Sequence, residues 1–217
     1  PVLRLGEGVP LDFSPDGAWV LANVPGTPET LVLYPTGAGE VRKLERGDLA
    51  AYSWGQWFRD GKRLLVCGSE PGHAGRCYLQ EIAGGPPKPL TPEGTVQGLV
   101  SPDGKLVLVR SAEDEFLLYP VEGGEPRPVP WLTAKDGLIG WSTDGRSWLV
   151  TDTEGLPASV QRVDVGSGRR SLIHTLAPSD RSGVLRVRQA SVSDDERSYV
   201  YTYKRASGLV FVVEGAK

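Results

Sequence analysis

Residues 101–109 read Ser-Pro-Asp-Gly-Lys-Leu-Val-Leu-Val, a tight-turn signal followed at once by strand-forming residues. Pro presets φ for the second position of a type I turn, Asp suits the third position, and Gly takes the left-handed position that follows. A turn of this kind joins two antiparallel strands. The segment therefore predicts a hairpin whose second strand covers Lys105 to Val109.

The same order of turn and strand occurs five times along the chain. The copies are Phe13-Ser14-Pro15-Asp16-Gly17, Phe58-Arg59-Asp60-Gly61, Val100-Ser101-Pro102-Asp103-Gly104, Trp141-Ser142-Thr143-Asp144-Gly145 and Val192-Ser193-Asp194-Asp195-Glu196. Successive aspartates of the motif lie 44, 43, 41 and 51 residues apart. Four-stranded propeller blades repeat every 40 to 45 residues or so. The spacing thus predicts an all-β fold, a five-bladed β-propeller.

Each repeat supplies four antiparallel strands. Strands after the turn are expected at Lys62 to Cys67, Lys105 to Val109 and Tyr199 to Tyr203. The next strands are expected at Leu31 to Tyr34, Tyr78 to Ile82, Phe116 to Tyr119 and Val160 to Val165. Gly-rich turns then lead to outer strands around Leu44, Leu90, Val129 and Leu172. We expect one domain over residues 1–217, with blades at about 6–46, 47–92, 93–131, 132–176 and 177–217 plus 1–5.

The two ends of the chain complement each other. The last residues, Val213 to Lys217, match the Gly-rich turn at Val121 to Glu125 but lack the outer strand that should follow. Val2-Leu3-Arg4-Leu5 resembles the outer strand Val41-Arg42-Lys43-Leu44, so the N-terminal strand is predicted to close the last blade. Closure hides sheet edges. An open β-solenoid, which needs capping repeats, and a larger propeller cut to five blades are the alternatives.

The Ser-Pro-Asp-Gly-Lys-apolar pattern resembles the WD40-like propeller repeats of TolB-type proteins, along the whole chain. It is also similar to the propeller domains of bacterial eukaryotic-like serine/threonine kinases, although no kinase motif is present. The resemblance implies a platform for binding proteins or ligands, with the motif residues in a structural role. The chain departs from the repeat at Arg59, Thr143 and Asp194 in the Pro position and at Glu196 in the Gly position.

Composition narrows the partner class. The chain has 24 basic and 27 acidic residues and no long run of Lys or Arg, which argues against nucleic acid. No stretch approaches the 18 to 20 or so apolar residues of a spanning helix, so membrane insertion is not expected. The chain starts at Pro1 and contains no Met, which suggests an excised or processed domain or an engineered derivative. We expect a monomer.

The side chains offer little for catalysis or metal binding. His73 and His174 are the only histidines, and no nucleophile elbow accompanies either of them. Neither histidine has zinc-ligand spacing to the two cysteines. The motif aspartates are explained by turn geometry, which leaves Asp12 as a single acid on an inner strand where a glycosidase needs two. We therefore predict no catalytic residues, no metal and no cofactor.

Cys67 and Cys77 flank a predicted hairpin loop, Gly68 to Arg76. A turn centred on Gly72 would place them opposite each other, where a disulfide is geometrically feasible. Two reduced cysteines on neighbouring strands are an equal alternative. A bridge would favour an extracytoplasmic location.

The longer loops at the sheet end opposite the tight turns are the expected binding face, because loops on a rigid scaffold concentrate binding residues. Aromatic and basic residues there are the candidate partner contacts: Tyr52, Trp54, His73, Arg110, Trp131, Lys135, Arg186, Arg188, Lys204 and Arg205. Trp57 and Trp141 align with Phe13, Val100 and Val192 and are predicted to be core. Trp54 and Trp131 fall outside the repeated core positions, and Trp19 stands where other repeats have Arg, Leu or Ser.

The pattern favours a non-catalytic scaffold that recognises a protein or peptide through this loop face. Two alternatives remain. One is a hydrolase that acts on a saccharide or peptide in the central pocket. The other, suggested only by the resemblance, is a sensor module from a bacterial signalling kinase.

Overall fold

A computed structural model describes residues 4–152 and 155–208, except for the side chains of Val96, Arg188 and Gln189. The described residues form β-strands and no helix. In this part of the chain, no helix is long and apolar enough to cross a membrane. The strands fall into five antiparallel sheets, in chain order.

Four of the sheets have four strands each in the order of the chain. The first contains β1 Val9–Phe13, β2 Trp19–Val24, β3 Thr30–Pro35 and β4 Arg42–Lys43. The second contains β5 Ala51–Trp57, β6 Arg63–Ser69, β7 Arg76–Glu81 and β8 Lys88–Pro89. The third contains β9 Thr95–Val100, β10 Leu106–Ser111, β11 Phe116–Pro120 and β12 Arg127–Pro128. The fourth contains β13 Asp136–Trp141, β14 Ser147–Asp152, β15 Ala158–Asp164 and β16 Arg170–Leu176.

The fifth sheet consists, among the described residues, of β17 Val184–Val192 and β18 Tyr199–Arg205. The predicted fold class is confirmed: the chain is an all-β, five-bladed propeller, with four antiparallel strands in each of the first four blades and two described strands in the fifth. The predicted pairing of residues 2–5 with residues 209–214 involves positions outside the described residues, so it stays a prediction. Arg4 and Leu5, which are described, are not in a strand.

A serine opens four of the five tight turns, whereas Phe58 opens the second. In the first turn the Ser14 hydroxyl donates to Asp16 Oδ1 at 2.6 Å and accepts from the Trp19 amide at 2.9 Å. Ser101 and Ser193 make the same pair of bonds in the third and fifth sheets. The hydroxyl thus connects the turn to the strand that follows it.

Glu196 keeps the turn that a Gly makes elsewhere. Its φ of +58° matches the +67° to +69° of Gly61, Gly104 and the other glycines at this position. An L residue pays a steric cost in this left-handed region. The fifth turn therefore has the same backbone shape as the others but carries local strain at Glu196.

The described residues cluster into two compact units. Unit one covers Pro1–Ala134 and Thr143–Gly145, and unit two covers Lys135–Ser142 and Arg146–Lys217. In unit one, the apolar faces of neighbouring sheets pack together: Leu21 and Leu33 meet Leu64 and Val66, and Leu65 meets Val107. In unit two, Val160 and Leu176 pack with Val187. Within each unit, neighbouring sheets therefore bury apolar strand faces against each other.

One predicted core position is wrong. Phe13 is 62% exposed, whereas its repeat equivalents Trp57 and Val100 are each 6% exposed. Trp57 packs against Leu21 and other residues of the first sheet, so this position covers the preceding sheet. Phe13 belongs to the first sheet of the chain and, among the described residues of its unit, has no preceding sheet to cover.

Candidate functional site

A cavity of about 210 Å³ lies at the loop end of the second sheet, in unit one. Its walls come from the start of β5, the end of β6, the loop before β7 and the first residue of β9. The lining residues are Ala51, Tyr52, Ser53, Gly68, Ser69, Gly75 and Thr95. Of the predicted contact residues, Tyr52 is the one that borders this cavity directly.

The backbone geometry at the cavity requires a glycine. Tyr52 pairs with Gly68 across β5 and β6, and the register shifts between Tyr52 and Trp54 because of a β-bulge. A Cβ atom at Gly68 would lie 2.3 Å from the carbonyl oxygen of Ala51. Real Cβ atoms do not approach backbone so closely, so no other residue fits at this position without displacing β5.

Tyr52 is held in place by the neighbouring sheet. Glu29, in the loop between β2 and β3, accepts a hydrogen bond from the Tyr52 amide at 2.8 Å and another from Asn23 Nδ2 at 2.8 Å. Burial of the phenol raises the pKa of Tyr52 to about 12. The side chain is therefore a neutral hydroxyl at physiological pH.

The loop between β6 and β7 forms the rim of the cavity. Its base carries a disulfide between Cys67 and Cys77, which are directly paired across the two strands. Both cysteines are fully buried. The two strands are therefore held together where the loop begins and ends.

Ionic contacts fix the loop on both sides. Arg76 donates to Glu70 Oε1 at 2.7 Å and to the Tyr78 hydroxyl at 3.0 Å. His73 Nδ1 lies 2.8 Å from Glu93 Oε1, and the Ala74 amide donates to Glu93 Oε2 at 3.2 Å. The hydrogen bonds from His73 and then from the Ala74 amide lower the pKa of Glu93. The hydrogen bonds from Arg76 and then from Tyr78 lower the pKa of Glu70. The rim carboxylates are thus ionised and already bound to groups of this chain.

Trp54 has a packing role. It lies on β5 opposite Cys67, and its ring packs against the core cluster that contains Cys67 and Val107. Its Nε1 is buried without a hydrogen-bond partner. Trp54 is therefore partly buried against the core of its unit, and its part in partner binding stays a prediction.

Arg110 and Trp131 complete the predicted contacts of unit one. Arg110 Nε donates to Asp114 Oδ1 at 2.8 Å, and its guanidinium lies 5.8 Å from the Phe116 ring centroid. Trp131, after β12, is 40% exposed. Arg110 also donates to the Ala134 carbonyl oxygen at 3.3 Å, so it contacts both its own hairpin and the segment before β13. Trp131 retains a solvent-facing aromatic surface.

The other predicted contacts belong to unit two. Lys135, Arg186 and Lys204 are exposed, and Arg186 pairs with Lys204 across β17 and β18. Arg205 forms an ion pair with Asp180 at 3.1 Å. The side chain of Arg188 lies outside the described residues.

Sequence reasoning missed the contacts that join the sheets. Asp12 accepts a hydrogen bond from the Trp57 amide at 2.8 Å, and Gln56, at the equivalent position, accepts one from the Val100 amide at 2.9 Å. Burial raises the pKa of Asp12, although the Trp57 and Phe13 amides oppose this shift. Asp12, the acid that immediately precedes the first turn motif, thus has a structural contact. Asp12 and Gln56 each lie four residues before the aspartate of their turn motif. This shared position is the sequence signal that could have indicated a structural role.

Trp19 and Trp141 are partly buried. Trp19 packs against the buried cluster that contains Leu21 and Leu64. The Arg42 guanidinium lies 4.6 Å from the centroid of the Trp19 ring. Trp141 lies edge-on to the fully buried Trp148, with ring centroids 5.4 Å apart. Trp19 is therefore a covered packing residue rather than a bare aromatic surface.

Within residues 4–152 and 155–208, no three His, Cys, Asp or Glu side chains come together as a metal site would require. His73 contacts Glu93, and His174 Nε2 lies 2.8 Å from the carbonyl oxygen of Glu196. Each histidine is therefore engaged with a group of its own neighbourhood.

Solved structures share the fold at low sequence identity. TolB from Acinetobacter baumannii superposes with a TM-score of 0.67 and 17% identity over 87% of this chain, which spans 46% of that protein. Putative TolB from Agrobacterium tumefaciens superposes with a TM-score of 0.67 and 18% identity. The match covers 94% of this chain and 72% of that protein. The Cps50 (Swd1) β-propeller domain of Myceliophteria thermophila superposes with a TM-score of 0.63 and 15% identity. The match covers 93% of this chain and 64% of that domain's chain. No protein-family model and no curated protein sequence matches the chain.

Proposed function

We propose that this chain is a non-catalytic binding module that recognises a protein or peptide through the loop end of its sheets. The observation that carries the proposal is the cavity beside Tyr52, which is bordered by a loop held at both ends. Loops fixed on a rigid sheet scaffold suit recognition, since little conformational entropy is lost on binding. TolB-like and WD40-like propellers, whose fold this chain shares, commonly mediate protein binding.

The remaining candidate contacts belong to the same proposal. His73 and Trp131 offer exposed ring surface, and aromatic side chains are common interface anchors. Arg110, Lys135, Arg186, Arg188, Lys204 and Arg205 would add positive charge for an acidic partner. An origin as a sensor domain of a bacterial signalling kinase is a finer proposal that rests on the resemblance alone. An origin as an engineered derivative is a finer proposal that rests on the absence of Met.

A display library of random 12-residue peptides tests the proposal. Selection on the whole chain should enrich a shared motif. Ser69→Trp, at the cavity, should reduce binding of the enriched peptides at least tenfold. Ala38→Trp, in the exposed turn after β3, adds the same side chain away from the loop end and should leave binding unchanged. Absence of any enriched motif, or equal loss in both variants, would reject binding through this face.

A further inference from the structure

The cavity lining contains no charged side chain. Its members are glycines, an alanine, three hydroxyl residues and Tyr52. Three carboxylates of the surrounding segments, those of Glu29, Glu70 and Glu93, already accept hydrogen bonds from groups of this chain. A charged side chain that entered would lose part of its hydration without gaining a counter-ion from the lining. The occupant should therefore be neutral.

The size of the cavity suits one aromatic ring. A cavity of about 150 Å³ in another protein holds a benzene molecule. At about 210 Å³, this cavity has room for a ring with one additional polar group.

The hydroxyl groups in the wall favour a ring that carries a donor. The Thr95 hydroxyl is buried and donates to the Pro92 carbonyl oxygen at 3.2 Å, so its own oxygen retains lone pairs that can accept. Ser69 contributes a second hydroxyl to the wall. A phenol offers one O–H donor and an apolar body, which matches both parts of this lining.

We propose that the cavity binds the phenol ring of a tyrosine in the partner peptide. This inference rests on the proposed function for its peptide context, but the ring specificity is a property of the cavity alone. It predicts that small analogues of one side chain bind without a peptide attached.

Side-chain analogues test the specificity on the ¹⁵N-labelled whole chain. p-Cresol should produce saturable amide shifts confined to residues 51–53, 68–69, 75 and 95. Toluene, which lacks the hydroxyl, should bind at least threefold more weakly. n-Butylammonium and acetate should produce no saturable shifts at these residues. Equal binding of toluene, saturable binding of either ion, or cresol shifts scattered over the chain would overturn the proposal.

Cavity variants separate this inference from the proposed function. Ser69→Trp should abolish the cresol shifts, whereas Ser69→Ala, which keeps the volume, should retain them. Ser53→Trp, at an exposed position of the wall, serves as a second filled variant if Ser69→Trp does not fold. Cresol binding that persists in a folded Trp variant would refute the phenol site. Selected peptides that lack Tyr would also refute it, while leaving the peptide-binding function intact. Cresol binding without any selected peptide would support the cavity assignment and reject the function.

Discussion

All five tight turns require a residue with a left-handed φ, and four of them use Gly while the fifth uses Glu196. Gly17, Gly61, Gly104 and Gly145 adopt a left-handed φ without steric cost, while Glu196 adopts it with a side chain present. Glu196 contributes elsewhere, since its carboxylate pairs with Arg162 and its carbonyl oxygen contacts His174. The residue thus combines an unfavourable backbone with favourable contacts.

Two substitutions at this position separate the backbone from the side chain. Glu196→Gly and Glu196→Ala both remove the ion pair with Arg162. Glu196→Gly should be the more stable variant by about 1 kcal/mol, because only Ala retains the left-handed strain. Urea unfolding of both variants measures the difference. Equal unfolding midpoints would show that the turn is not strained.

At the scale of elements, hydrogen bonds from one inner strand to the next align neighbouring sheets. Asp12 on β1 reaches the Trp57 amide on β5, and Gln56 on β5 reaches the Val100 amide on β9. Apolar packing between sheets is non-directional. The side-chain acceptors therefore supply a register that packing alone does not.

Replacement of Asp12 tests this role. Asp12→Ala should lower the free energy of unfolding by about 1–2 kcal/mol, because the buried Trp57 amide loses its acceptor. Asp12→Asn keeps a carbonyl oxygen that can accept from the Trp57 amide, as Gln56 accepts from the Val100 amide. It should therefore lower the free energy of unfolding by less than Asp12→Ala does. Because burial raises the pKa of Asp12, its carboxylate becomes less costly to the fold as pH falls. The stability of the wild type relative to Asp12→Asn should therefore increase from pH 7 to pH 4. A pH-independent difference would contradict this assignment.

For the whole molecule, the repeated turns give a shared response to acid. Hydroxyl donors, followed by backbone amides, lower the pKa of Asp16, Asp103 and Asp195 from the usual 3.8. A folded-state pKa below the unfolded value means that the unfolded chain binds more protons in acid. The stabilisation by these turns is present above about pH 4 and is lost as pH falls through the lowered values.

Unfolding measured between pH 6 and pH 2 should show this loss as a steepening decline below pH 4. Ser101→Ala removes the hydroxyl donor to Asp103, so the pKa of that carboxyl should rise toward 3.8. Carboxyl ¹³C titration of Asp103 in the wild type and the variant provides the direct measurement. An unchanged Asp103 pKa in Ser101→Ala would rule out the hydroxyl as the cause.

The sequence by itself determined the number of sheets, their strands and their turns, because these depend on local periodicity and on turn chemistry within a few residues. Strand boundaries differ by one or two residues, as at Arg63–Ser69 against the predicted Lys62 to Cys67. The close pairing of Cys67 with Cys77 was also accessible, since a hairpin register relates them directly.

Only the tertiary structure decided which equivalent positions are covered and which side chains meet across sheets. Val200 shares its repeat position with the buried residues Leu21, Leu65, Leu108 and Leu149, yet it is 66% exposed among the described residues. The cavity beside Tyr52, the packing of Trp54 and the Asp12 contact likewise join segments that are distant in sequence, as Asp12 and Trp57 are at a separation of 45 residues. A local pattern specifies which face of a strand is apolar, but burial depends on what the rest of the chain places against that face.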